Sequence, residues 1–292
     1  MGMASSGAIL NVEYPVVRLR LPCPLVAKLF GWYTNDRGGR FSRGYKSPVA
    51  GGQPSVAMAG LFGRTEVGAD ATLTRPGGEL SGARSDTLTS IGDLYPMASL
   101  KWNRGVHNYM VYTMAGVPVG SYDKDRLSNL GINHWSLDAG GGYTYFDPTR
   151  GREFSAVLGF TYNLENPDTD YQNGVDFHLD WAASKFLSAQ THVGLVAYYY
   201  QQLTGDSGSG AVLGDLRSRV AGIGPQIGYF LDVGGRKWYA NLKYYDEFWA
   251  ENRAEGWNLW LTLAIPLGAA PDQPGGAPAP ANGAAVTREG ED

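Results

Sequence analysis

From Ile91 onward the chain repeats one pattern: stretches of about a dozen residues in which every second side chain is large and apolar. Gly256–Leu267 shows it most cleanly. Trp257, Leu259, Leu261, Leu263, Ile265 and Leu267 alternate with Asn258, Trp260, Thr262, Ala264 and Pro266. A period of two marks a strand with two chemically different faces. Its length is close to the roughly 9–11 residues that a tilted strand needs to cross a bilayer.

The same alternation predicts strands over Ile91–Asn103, Val106–Val119, His134–Asp147, Arg152–Leu164, Gly174–Phe186, Gln190–Leu203, Arg217–Leu231 and Lys237–Trp249. In Arg152–Leu164, for example, Phe154, Ala156, Leu158, Phe160, Tyr162 and Leu164 share one face, and Glu153, Ser155, Gly159, Thr161 and Asn163 share the other. Tight turns such as Asn103-Arg104-Gly105 and Pro148-Thr149-Arg150-Gly151 alternate with longer polar connections, Gly120–Asn133, Glu165–Asn173 and Thr204–Leu216. A short helical turn is expected around Asp125–Leu130. Short connections on one side and long ones on the other are the signature of an up-and-down membrane barrel.

Upstream the pattern weakens. Val56–Phe62 and Thr65–Leu73 are strand candidates, and Arg75–Ser85 reads as a polar loop. With about three strands from Ser55–Ala83, the expected architecture is all-β, an antiparallel up-and-down transmembrane β-barrel of about 12 strands. Its N-terminal strands are its defective part. Residues 1–53 have no sustained period and are expected to be a disordered or aberrant segment. Residues 54–268 form the barrel. Residues 269–292, rich in Pro, Ala and Gly, are expected to be a disordered tail.

Composition agrees with a lipid-facing surface. Of 292 residues 43% are hydrophobic and only 18% charged, against about 25% charged in soluble domains. A soluble β-sandwich would need more Lys and Glu on its outer face. No run of 18 apolar residues exists, so a helical span is excluded. A net charge of −4 offers no basic patch for nucleic acid. Cys23 is the one cysteine and forms no internal disulfide. The first 30 residues, interrupted by Arg18, Arg20, Pro22, Pro24 and Lys28, show no signal peptide. Nothing in the pattern sets an oligomeric state.

The face assignment carries the functional expectation. The apolar face meets outer-membrane lipid, and Asp246, near a strand end, is one of its few charges. Tyr244, Phe248, Trp249, Trp257, Tyr198 and Tyr199 lie where aromatic girdles form. The other face lines a lumen, with Asp93, Lys101, Asp138, Glu153, Asp176, His178, Asp180, His192, Gln226, Asn241, Lys243 and Glu247 as lumen-lining candidates. In a narrow barrel such groups pair or stay hydrated. Asp176-x-His178-x-Asp180 puts three polar groups on one strand face, a pattern that could seed a metal site in a soluble protein but here reads as lumen network. A lumen Ser beside His178 or His192 would suit lipid hydrolysis, yet no spacing forms a triad. Gly140-Gly141-Gly142 lies within a strand and lacks the Lys-Ser/Thr of a phosphate loop. No cofactor, metal or catalytic residue is expected.

Ser85–Asn103, Ala115–Asp123, Asn129–Asp147, Phe160–Gln172, Tyr198–Asp206, Val220–Tyr229 and Glu251–Leu267 together resemble the outer-membrane family named after the meta-cleavage pathway of phenol degradation, sometimes called the SphA family. The resemblance implies a transporter-like β-barrel in the cell outer membrane that admits small hydrophobic or aromatic compounds by passive uptake. It brings no site motif with it. The alternatives are a structural or ligand-binding outer-membrane barrel without transport and a lipid-modifying outer-membrane enzyme. The expectation is a non-enzyme.

Overall fold

The computed structural model describes residues 48–75 and 78–265, with the side chains of 69–81 left out of the description. Ten strands form one antiparallel sheet in sequence order. They are β1 (Gln53–Arg75), β2 (Gly78–Arg104), β3 (His107–Gly116), β4 (Ser136–Asp147), β5 (Arg152–Asn163), β6 (Asp176–Phe186), β7 (Thr191–Gln202), β8 (Arg219–Val233), β9 (Arg236–Glu251) and β10 (Trp257–Ala264). The up-and-down order and the turn pattern are as the alternation predicts. The described strands number ten rather than about 12, and they form a half-barrel. Strands β1 and β10 make no contact with each other.

The count differs at the N-terminal end. The expected strands Val56–Phe62 and Thr65–Leu73 are one continuous β1, interrupted only by a register shift between Gly60 and Phe62. The expected loop Arg75–Ser85 is mostly strand: β2 begins at Gly78, and Arg75 pairs with Gly78 at the tip. The ladder with β1 pairs the backbone of this segment, so its loop-type composition does not prevent strand formation. The helical turn expected near Asp125–Leu130 does not form; a β-turn precedes it, closed by Arg126 N–H donating to Asp123 O at 3.1 Å. Apart from residues 48–53, the segments 1–53 and 269–292 lie outside the described residues.

Register fixes the faces, because side chains directly across a ladder share a face. Along one row, Tyr112 faces Gly140, Gly140 faces Gly159, Gly159 faces His178 and His178 faces Tyr200. The neighbouring row on the other face runs Val111, Gly141, Leu158, Leu179, Tyr199 and Ala221. The apolar face is open: Leu137, Phe154, Leu158, Phe160, Leu195 and Ile223 are all exposed. Buried polar residues, Asp138, Asn163, Asp176, His192, Gln226 and Asn241, belong to the other face.

The polar face is concave. Strands stand about 4.8 Å apart, so β3 and β6 are roughly 14 Å apart along a flat sheet. Yet Tyr112 Oη on β3 lies 3.3 Å from His178 Nε2 on β6. Likewise Gln226 Nε2 on β8 reaches Ser184 Oγ on β6 at 2.9 Å, and the Tyr198 hydroxyl on β7 donates to Glu247 on β9. Side chains converge this way only on the inside of a curl.

The long connections lie at one end of the strands and interlock. Asp93 Oδ1 accepts from Gly120 N at 2.8 Å and its Oδ2 from Ile132 N at 2.9 Å, so a carboxylate on β2 ties down the β3–β4 loop. Asn133 Nδ2 donates to Asn166 Oδ1 and Asp168 Oδ2 of the next loop. Gln172 and Ser207 then bridge that loop to the β7–β8 loop, where the Tyr171 hydroxyl donates to Asp206. Asn252 Nδ2 reaches Arg217 O at 2.8 Å. The rim is therefore one hydrogen-bonded band.

Candidate functional site: the concave face

Eleven of the twelve residues singled out from the sequence share the concave face, and most of them fall into separate hydrogen-bonded groups. The largest centres on Asp138, whose side chain is only 3% exposed. Its Oδ2 lies 2.9 Å from His178 Nε2 and accepts from the Thr161 hydroxyl at 2.6 Å. Tyr112 completes the group from β3, and Asp180 Oδ2 lies 3.9 Å from His178 Nδ1. Asp138 Oδ1 is buried with no hydrogen-bond partner among the described residues.

A glycine makes this convergence possible. A Cβ added at Gly159, one of the two glycines that separate Tyr112 from His178 in the row, would collide with the Tyr112 hydroxyl and stand 2.7 Å from His178 Nε2. The bare backbone of β5 is the floor on which two side chains from β3 and β6 meet. Gly228 does the same on β8: its Cβ would strike the ring of His192, which crosses over it to place Nε2 3.0 Å from Tyr239 Oη on β9. These glycines serve close approach rather than backbone bending.

Toward the long loops, Asn163 Nδ2 donates to Asp176 Oδ2 at 2.8 Å and Tyr200 Oη donates to Asp176 Oδ1 at 2.7 Å. The Tyr198 hydroxyl donates to Glu247, which also accepts from Asn258 Nδ2 at 3.3 Å and from Gly256 N at 2.9 Å. Midway, Gln226 Nε2 donates to Ser184 Oγ at 2.9 Å and Asn241 Nδ2 donates to Gln226 Oε1 at 3.2 Å. Ser155 Oγ donates to Glu153 Oε1 at 3.0 Å. Lys101 stands across from Met110 and Gln53 near the β1 edge.

The sequence pattern Asp176-x-His178-x-Asp180 therefore splits. Asp176 serves Asn163 and Tyr200, whereas His178 serves Asp138 and Tyr112. No group of three metal-ligating side chains occurs among the described residues. His178 bonds a carboxylate and a phenol, and His192 a phenol, so neither is paired with a serine nucleophile.

Two assignments change. Asp93 binds loop backbone rather than presenting itself to the concave space. Tyr198 belongs not to the outer aromatic girdle but to the concave face, across from Gly222 and Asp180 and with its ring 5.1 Å from Tyr245. The outer girdle is built instead of stacked pairs, Tyr199 on Trp249 at 5.8 Å and Tyr244 on Trp257 at 6.2 Å, with Arg219 over Trp249 at 4.7 Å.

One feature was missed at the sequence level. At the short-turn end the concave face carries rings in mutual contact: Phe146–Phe186 at 5.5 Å, Phe186–His192 at 5.1 Å, His192–Tyr239 at 5.9 Å and Phe230–Tyr239 at 4.8 Å. Their parity with Asp138, His178, Gln226 and Asn241 along the respective strands was the signal that could have found them.

A curled antiparallel sheet with an apolar convex face and a hydrogen-bonded polar concave face is the wall of a β-barrel. The chain belongs to the family described as "Putative MetA-pathway of phenol degradation", whose model matches residues 29–263. Its fold is similar to that of an outer membrane channel from Pseudomonas putida F1, at 14% sequence identity and a TM-score of 0.53, over 76% of this chain and 89% of that one. No curated protein matches the sequence.

Proposed function

We propose that this protein is an outer-membrane channel for the passive uptake of small hydrophobic or aromatic compounds. The observation that carries the reading is the division of one curled sheet into an apolar convex face and a polar, largely self-satisfied concave face. The convex face suits outer-membrane lipid, where a basic residue at mid-depth would cost about 2–4 kcal/mol. The concave face, with the eleven residues that share it, is the wall of the solute path. The family name and the similarity to a solved channel support the same reading.

In such a path the protein does no chemistry. Paired carboxylates, phenols and amides replace part of a solute's hydration, and a concentration gradient drives flux. The interlocked loops 117–135 and 203–218 sit over the far mouth and are the gates. Membrane insertion requires that both edges, β1 and β10, find strand partners, since an unpaired edge in hydrocarbon leaves a row of unsatisfied N–H and C=O groups.

The test is solute flux through proteoliposomes made with the full chain, together with its recovery in the outer-membrane fraction. Flux above empty-liposome background is expected. Recovery in the membrane with no flux would replace this reading by a structural or ligand-binding barrel, which the cross-strand bonds of Tyr112, His178 and Asp138 would also suit.

A further inference from the structure

The rings at the short-turn end of the concave face are unlike the rest of that face. Phe146 and Phe186 come from β4 and β6, and Phe230 and Tyr239 from β8 and β9, with His192 between them on β7. Between His192 and the β9 strand the intervening position is Gly228, whereas on β5 Glu153 stands across from Phe146. A Cβ at Gly151 would stand 3.3 Å from Phe186 Cβ, and one at Gly228 would strike the His192 ring. The rings touch one another in succession, so they form an apolar shelf bordered by Glu153 rather than isolated side chains. His192 is 4% exposed and acts as the shelf's support, whereas Phe146, Phe186, Phe230 and Tyr239 keep part of their surface open. Neither Phe146, Phe186 nor Phe230 has a polar atom to satisfy. Elsewhere on this face Tyr112, Tyr198 and Tyr200 are tied by their hydroxyls to polar partners and cannot turn to a ligand without breaking those bonds.

We infer that this shelf is a stacking subsite for planar aromatic rings at the short-turn mouth. The inference deepens the channel reading and rests on it for the location of the solute path. Aromatic faces prefer offset or edge-to-face contact with another ring over contact with a saturated ring of the same size. The shelf offers such faces in two tilted pairs, Phe186 with His192 and Phe230 with Tyr239. A solute that carries a flat ring is held there, and a saturated analogue passes with less retention.

Because uncharged phenols cross lipid unaided, the probes are permanently charged: benzyltrimethylammonium and its saturated counterpart cyclohexylmethyltrimethylammonium. In planar bilayers holding the full-length protein, each is tested as a blocker of the tetramethylammonium current. The aromatic probe is expected to reach half-block at a concentration about three- to tenfold lower than the saturated one, the range a ring–ring preference supplies. The double variant Phe186→Leu, Phe230→Leu removes the difference, and Phe160→Leu on the convex face retains it. Equal block by both probes in the wild type, or loss of the difference in Phe160→Leu, overturns the subsite. Should the protein carry no current, the channel reading fails by itself. The subsite is then read from fluorine NMR line broadening of para-fluorobenzyltrimethylammonium, which the wild type causes and the double variant does not. Circular dichroism shows that the double variant is folded.

Discussion

The middle and the short-turn end of the concave face solve one problem in opposite ways. Both bring side chains from distant strands together over a glycine. In the middle, over Gly159, the partners are a phenol, an imidazole and a carboxylate held by hydrogen bonds. At the short-turn end His192 also reaches Tyr239 by a hydrogen bond over Gly228, but Phe146, Phe186 and Phe230 around that pair are hydrocarbon rings held by contact alone. The middle is directional: each bond has one geometry, and a lost partner leaves a polar group buried. The ring shelf is not directional, so it tolerates displacement by another ring. The first arrangement sets the curvature of the wall, and the second leaves a surface that can exchange partners.

Asp138→Ala breaks this comparison on its rigid side and has the largest expected effect. It removes the acceptor of Thr161 and His178 within a nearly buried group. Hydrogen bonds to a charged group contribute about 1.5–3 kcal/mol each. The unpartnered Oδ1 already costs the native state something, so the net loss is expected to be about 2–3 kcal/mol rather than the sum. Urea unfolding of the refolded protein in detergent measures it. Phe230→Leu, which keeps most of the volume, is expected to cost less than about 1.5 kcal/mol. A larger loss from Phe230→Leu than from Asp138→Ala would reverse the assignment of rigidity.

Gly228→Ala sharpens the comparison by attacking the feature both regions share. The new methyl would strike the His192 ring, which must swing away from Tyr239. Overpacking of this kind costs about 1–3 kcal/mol. Gly63→Ala is the control, because a Cβ there meets nothing within 4 Å. It is expected to stay within about 0.5 kcal/mol of the wild type. Equal losses at both positions would mean that the penalty comes from strand propensity and not from the crossing side chains.

Much of this is legible in the sequence. The period of two placed Asp138, His178, Gln226 and Asn241 on one face, and the register agrees because a one-residue slip would have turned every apolar side chain inward. Pairing within a face was not legible. Asp176 and His178 are two residues apart on one strand yet have no common partner, because partners are chosen across strands, where the curl and the glycines decide what meets. The Arg75–Ser85 segment was misread because Gly, Pro and Ser signal a loop locally, while the ladder with β1 holds it extended. The shelf is not legible locally, because Phe186 and Phe230 sit near strand ends, where girdle rings also occur. Parity alone turns them inward.

The smallest expected effect tests whether the long-loop end behaves like the middle. Tyr171 lies in the β5–β6 loop, outside the strands, and its hydroxyl donates to Asp206 of the β7–β8 loop. Burial, and then the Asp206 carboxylate, push its pKa above the ordinary phenol value. A raised value means the neutral form is favoured in the folded loop, so the contact is fully present below the unfolded tyrosine pKa of about 10. It is lost as pH rises through the higher folded value. Tyrosinate absorbance should therefore show Tyr171 among the phenols that ionise late in the wild type, and Tyr171→Phe should lower the amplitude of that late phase by one phenol. The bridge between Gln172 and Ser207 does not depend on the phenol, so the variant should keep the two loops together at neutral pH. If instead Tyr171 ionises with the exposed tyrosines, the rim is held by its backbone bridge alone, and the directional chemistry of the wall stops at the ends of the strands.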